Sequence, residues 1–151
     1  MDAIGIRGAR MNISMSDLTG SWILESLNFE FEDNGEVVTP FGPDPIGALI
    51  VTVQGRMMAI LTANHRPATV DDVSRVMLFD SMTAYSGKFK LSGNTFTTIV
   101  DASWATEWLG TEQVRYLQLD GRTLSIRSAS HQHPRFPNRR GVSTLKWRRE
   151  D

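Results

Sequence analysis

The sequence predicts an all-β fold: an antiparallel barrel of eight to nine strands with one helix at about 70–82. Three observations predict it. Apolar-rich segments of strand length recur along the 151 residues. Glycine-containing turns separate them, and Asn34-Gly35, Gly93-Asn94 and Asp120-Gly121 are of the two-residue kind that joins antiparallel neighbours. The hydrophobic period turns helical only once.

In chain order, residues 1–16 read as a flexible N-terminal arm and 17–151 as a single barrel domain. Ser16 or Asp17 is placed to cap a short helical turn. Trp22 to Phe31 is the first strand, and its Trp is suited to plug one end of a closed sheet. Asp33-Asn34-Gly35 turns the chain into a strand over Glu36 to Thr39, until Pro40, Pro43 and Pro45 remove ladder donors. Gly47 to Val53 and Arg56 to Thr62 form a hairpin about Gln54-Gly55. Thr69 is a candidate helix cap, and Asp71 and Asp72 suit the first turn. Val73, Val76 and Met77 then make an apolar stripe, expected to lie against the sheet as a lid or brace.

Ala84 to Leu91 alternates, with Tyr85, Gly87, Phe89 and Leu91 inward and Ser86, Lys88 and Lys90 outward. Thr95 to Ala102, Thr111 to Leu119, Arg122 to Ser130 and Val142 to Arg149 are the remaining strands. A loop over 103–110 carries Trp104 and Trp108, and a Pro- and Arg-rich loop over 131–141 carries His131 and His133.

Composition narrows the function. A formal net charge of -1 offers no global attraction to nucleic acid. The absence of cysteine removes disulfides, thiolate metal ligands and a thiol nucleophile. No apolar run approaches the roughly 18 residues of a membrane span, and the arm lacks a signal-peptide h-region. The cytoplasm is the expected location.

Hairpin register goes further. A two-residue loop at Asp120-Gly121 pairs Leu119 with Arg122, Leu117 with Leu124, Arg115 with Ile126 and Gln113 with Ser128. Leu117, Leu119, Leu124 and Ile126 then share a face, which should be the interior. Register is all-or-nothing, so Gln113, Arg115 and Ser128 point inward too, and Glu112, Val114, Tyr116, Ser125 and Arg127 should be wet. The turn at Gly93-Asn94 pairs Leu91 with Phe96 and Tyr85 with Ala102. Tyr85, Gln113 and Arg115 therefore gather at one mouth, together with the loop histidines. An unpaired buried Arg is costly. Arg115 needs either an internal carboxylate, Glu25 or Glu30, or a ligand oxygen.

Five motifs occur in a telling order: Leu18-Thr19-Gly20-Ser21-Trp22, then Gly47-Ala48-Leu49-Ile50 with Gly55-Arg56-Met57, then Ala84-Tyr85-Ser86-Gly87-Lys88-Phe89. Trp108-Leu109-Gly110-Thr111-Glu112-Gln113-Val114-Arg115 and Leu145-Lys146-Trp147-Arg148-Arg149 complete the set. Through them the chain resembles the bacterial lipocalin-like domain family, a branch of the calycin barrels, over about residues 17–149. The resemblance implies an antiparallel barrel with a central cavity. It also implies that a last-strand Arg stacks on the first-strand Trp, here Arg149 on Trp22, a cation–π contact worth about 0.5–2 kcal/mol. The Trp22 end would then be closed and the Tyr85/Arg115 end open. Relatives often carry a His in the strand matching 95–102; Thr97-Thr98-Ile99-Val100 has none, so chemistry resting on it does not carry over. Some lipocalin-like barrels bind lipids or pigments, and others are cofactor-free enzymes; the fold alone does not decide.

The expected function is binding of a small hydrophobic or amphipathic molecule in the barrel, by Gln113, Ser128, Trp104, Trp108, His131, His133 and Phe89. The alternative is a cofactor-independent cyclase, isomerase or lyase acting on a polyketide-like or terpenoid-like substrate of specialised metabolism. In it Tyr85 would be a general acid and Arg115 would stabilise developing charge. A third reading is a structural domain whose interior is filled by side chains. No cofactor or metal is expected. His131-Gln132-His133 needs a third ligand, with only His65 or Asp101 to offer, and Gly5-Ile6-Arg7-Gly8 lacks the context of a phosphate loop. Arg135, Arg139 and Arg140 read as a solvated basic loop able to draw an anionic ligand to the mouth. The expected partners are a small molecule and, as an open option, a second copy of the chain, with neither nucleic acid nor membrane.

Overall fold

Strand β1 (Gly20–Phe31) pairs with β3 (Ile46–Val51) along one edge and with β10 (Arg140–Arg149) along the other, and this double pairing closes the sheet. Between them run β4 (Arg56–Thr62), β5 (Met82–Ser92), β6 (Thr95–Ser103), β7 (Glu112–Asp120) and β8 (Thr123–Ser128), each antiparallel to its neighbours. The result is the expected all-β fold, a closed antiparallel barrel of 8 strands. Two short strands, β2 (Val37–Val38) and β9 (His131–Gln132), lie outside it on β1 and β10. Helix α1 (Met15–Leu18) precedes β1, α2 (Asp72–Asp80) links β4 to β5, and a 3-10 turn (Thr106–Trp108) links β6 to β7. The structure, a computed structural model, describes residues 10, 12–133 and 135–151. The Gly5 to Gly8 segment lies outside them.

A bulge sets the inner face of β1. Its register against β10 slips between Leu24 and Ser26, so Glu25 is set outward while Trp22, Leu24, Leu27, Phe29 and Phe31 are buried. Glu25 lies 3.4 Å from Arg148 on the outside, and Glu30 is exposed. Neither carboxylate reaches the interior, so neither is the partner considered for Arg115.

The Trp22 end is sealed. Trp22 is fully buried, and its indole N–H donates to the Leu18 carbonyl at 3.0 Å. The Arg149 guanidinium carbon lies 4.2 Å from the Trp22 ring centroid, and Arg149 donates to the carbonyls of Thr19 and Asp17. Ser14, rather than Ser16 or Asp17, caps α1 in a capping box with Asp17. Ile13 and Leu18 are buried against this end, and Arg10 bridges to Leu119.

The last hairpin turns one residue later than expected. Its loop is Gly121-Arg122, with Gly121 at φ +58, as a type II′ turn requires of its first position. Leu119 therefore pairs with Leu124, Leu117 with Ile126, and Arg115 with Ser128. Each partner moves by two residues from the expected one, and a two-residue shift leaves every side chain on its face. Gln113, Arg115 and Ser128 stay inward, and none of Glu112, Val114, Tyr116, Ser125 and Arg127 is buried.

In the β5–β6 hairpin Leu91 pairs with Phe96, but a bulge at Asp101 gives Tyr85 the partner Ser103 instead of Ala102. Asp101 stands outside, 2.8 Å from Arg56. Across from the bulge, a Cβ on Gly87 would sit 2.0 Å from the Ile99 carbonyl oxygen, so the strand crossing needs glycine.

Helix α2 departs most from expectation. Asp71, not Thr69, is its cap, accepting the Ser74 N–H at 2.8 Å. Its stripe of Val73, Val76 and Met77 is 69%, 60% and 53% exposed, and Ser74 is the residue it buries. The helix is held by polar contacts rather than by that stripe: Arg66 donates to the Leu78 carbonyl at 2.6 Å and to Ser81 Oγ at 3.1 Å. Only its C-terminal end reaches the barrel mouth, where Phe79 approaches Trp104.

Candidate ligand-binding cavity

Alternation along the strands leaves a cavity of about 740 Å³ inside the barrel. Its lower walls are apolar, formed by Leu49, Val51, Met57, Leu117, Leu124 and Trp147. The mouth lies opposite the Trp22 seal. One arc of it is aromatic: Phe79 and Trp104 (6.2 Å between centroids), Trp104 and Trp108 (5.1 Å), Trp108 and Tyr85 (5.1 Å). On the other arc His131 and His133 pack edge-on against Phe29, which stacks on Phe136.

A polar band crosses the wall between mouth and floor. Thr111 Oγ1 donates to the Trp108 carbonyl at 2.7 Å, and Gln113 Nε2 donates to Thr111 Oγ1 at 2.9 Å. Gln113 Oε1 accepts from Arg115 Nη2 at 3.1 Å, and Arg115 Nη1 donates to the Val114 carbonyl at 2.9 Å. Beside Arg115, Ser128 Oγ donates to the Ala129 carbonyl at 2.8 Å and accepts the Ser143 N–H at 3.0 Å.

His131 completes the band. Its Nδ1 lies 3.1 Å from the Ala129 carbonyl and 3.2 Å from Ser128 Oγ, and its Nε2 lies 3.4 Å from Ser143 Oγ. Burial above all, helped by the charges of Arg115 and Arg140, holds its pKa below the ordinary value, against the opposing hydrogen bond to Ala129. His133 accepts the Arg135 N–H at Nδ1 (3.1 Å). Burial, then the neighbouring His131 and Arg135, push its pKa down to about 4.

The lipocalin-like domain matches residues 19–150, a span that takes in every strand of the barrel. The chain belongs to the lipocalin-like domain family. Comparison with curated proteins gives no match. Among the described residues no helix is long and apolar enough to cross a membrane.

On this lipocalin-like frame, Tyr85, Trp104, Trp108, Gln113, Arg115, Ser128, His131 and His133 all line the one cavity. Phe89 does not. It is buried with its ring 4.3 Å from that of Phe96, and Phe96 forms the wall in its place. His65 sits in the loop after β4 at φ 55, and Asp101 is on the outside, so neither joins His131 and His133. The basic loop is exposed at Arg135 and Arg140, as expected, and is also stitched down. Arg135 donates to the Pro40 carbonyl and Arg140 to Ser130. Arg139 binds Asp33 at 2.7 and 2.9 Å and lies 3.4 Å over the Phe31 ring.

Ser143 and Phe79 are among the wall residues of the lipocalin-like barrel that the sequence did not single out. Ser143 follows from the alternation of Leu145, Trp147 and Arg149 carried one step further back, a signal that was there to use. Phe79 had none, because its position depends on the contacts of Arg66 with the end of α2.

Proposed function

We propose that the barrel binds a small hydrophobic or amphipathic molecule in its cavity. The observation that carries this reading is the cavity itself: about 740 Å³, apolar-floored, sealed at one end and rimmed by aromatic side chains at the other. A barrel of eight strands has room for one small ligand, and barrels of this family's fold commonly bind such molecules. A cavity this large also counts against an interior filled by side chains. The test is a titration of the full chain with the neutral fluorophore 1-aminoanthracene, together with native mass spectrometry of freshly purified protein. Saturable enhancement, reduced when the cavity is filled by Ala59→Trp, supports the reading. Absence of binding to the wild type refutes it.

A catalytic version of the same site is favoured by one observation: His131, whose charged form burial disfavours, shares the cavity with Tyr85 and Arg115. In that version the chain is a cofactor-independent cyclase, isomerase or lyase. Tyr85 donates a proton to a developing enolate, and Arg115 stabilises its charge. Tyr85→Phe should then keep binding and lose turnover of a polyketide-like or terpenoid-like substrate. Unchanged turnover removes Tyr85 from the chemistry.

A further inference from the structure

The cavity lining holds donors that lack acceptors. Arg115 carries five N–H donors, and two of them are engaged, on the Val114 carbonyl and Gln113 Oε1. None of the ion pairs among the described residues includes Arg115. Trp104 and Trp147 line the same cavity, and their indole N–H groups are buried without an acceptor. Donors held out of water without partners are unfavourable. A molecule that fills this space therefore gains by bringing oxygens.

Among the described residues that line the cavity, Arg115 is the one Arg or Lys. Arg135 and Arg140 are turned to backbone carbonyls at Pro40 and Ser130. Burial and the charges of Arg115 and Arg140 disfavour the charged form of His131, against the hydrogen bond to Ala129. Asp80, Glu107 and Glu112 also line the rim, but all three are exposed, where water and salt screen them. One guanidinium in an otherwise uncharged band suits a monoanion with two oxygens, which it can grip side-on, better than a phosphate dianion. The chain from Trp108 through Thr111 and Gln113 fixes the guanidinium in advance, so little ordering remains to be done on binding. Below it, Leu117 and Leu124 offer the apolar floor.

We propose that the ligand is an amphipathic monocarboxylate, its apolar body on the lower walls and its carboxylate held by Arg115, a proposal that rests on the cavity being a ligand site. Two matched pairs test it: dodecanoic acid against dodecanol, and 2-naphthylacetic acid against 2-naphthylethanol. Each is titrated into the full chain at pH 7.5, followed by tryptophan fluorescence and by displacement of 1-aminoanthracene. The acid should bind at least tenfold more tightly than its alcohol in one or both pairs. Arg115→Met should remove that preference by weakening the acid alone, and Arg115→Lys, which keeps the charge without the fork, should retain part of it. Equal binding of acid and alcohol in both pairs overturns the carboxylate proposal and leaves the cavity reading standing. So does a preference that survives Arg115→Met. If none of the four compounds, nor 1-aminoanthracene itself, binds the wild type, the cavity reading falls and the carboxylate proposal with it.

Discussion

The Arg149 guanidinium lies 4.2 Å over the ring of Trp22 and donates to the Thr19 carbonyl at 2.9 Å, so one side chain ties the last strand to the first and to the helical turn before it. Removing it should loosen the sealed end without touching the cavity walls. Arg149→Ala is expected to lose about 2 kcal/mol in urea denaturation, from the cation–π contact and the charged hydrogen bonds together. Arg149→Lys should recover only part, because an ammonium cannot reach two carbonyls in the same plane. Affinity for 1-aminoanthracene should not change.

Acid should weaken the fold through His133. Its pKa is lowered from 6.5 to about 4 in the folded chain, so below pH 6.5 the unfolded chain binds more protons than the folded one. Stability is then full above pH 6.5 and falls as pH drops towards 4. The neutral ring accepts the Arg135 N–H at Nδ1, so the added proton also displaces a hydrogen bond. His133→Phe should flatten this part of the stability profile. An NMR titration of the His133 ring with a midpoint near 6.5 would remove the explanation.

Two glycine substitutions should separate close approach from backbone conformation. Gly87→Ala would place a methyl 2.0 Å from the Ile99 carbonyl oxygen, and no side-chain rotation relieves a clash with backbone. A loss of about 3 kcal/mol or more is expected. Gly93, at φ +60, has open space around it, so Gly93→Ala should cost only the left-handed conformation, about 1 kcal/mol. Thermal melts followed by circular dichroism would rank the two.

Filling the cavity should cost binding before it costs folding. Ala59 is 4% exposed and lines the cavity midway along β4, opposite Leu49 and Tyr85. Ala59→Trp should weaken 1-aminoanthracene binding about tenfold or more while the melting temperature moves by only a few degrees, since the space for the ring already exists. A collapse of the fold would mean the interior cannot accept the bulk.

Much of this was legible in the residues, for physical reasons that differ by element. β7 and β8 could be assigned inner and outer faces because strand alternation has a period of two. Moving the turn from Asp120-Gly121 to Gly121-Arg122 changed each partner and no face. The bulges at Glu25 and Asp101 were not legible. Nothing in a local pattern says which of two neighbouring polar residues a partner strand will leave unpaired. The apolar stripe of α2 pointed to burial because periodicity reports a face without reporting what, if anything, covers it. At the site, the inward set of Tyr85, Gln113, Arg115 and Ser128 followed from register. Phe89 was misplaced because alternation cannot tell a wall residue from one stacked behind its neighbour.

The seal at Trp22 has a kinetic consequence. A barrel stopped at one end makes its cavity a dead end, so a molecule leaves by the path it came in on, past Phe79, Trp104 and Tyr85. Arrival and departure then cross the same barrier. A bulkier residue at the mouth, such as Thr83→Trp, should slow both rates by a common factor and leave Kd where it was. A change on the floor acts on residence time alone. Stopped-flow rates, rather than equilibrium titrations, are where the rim of this barrel will make itself felt.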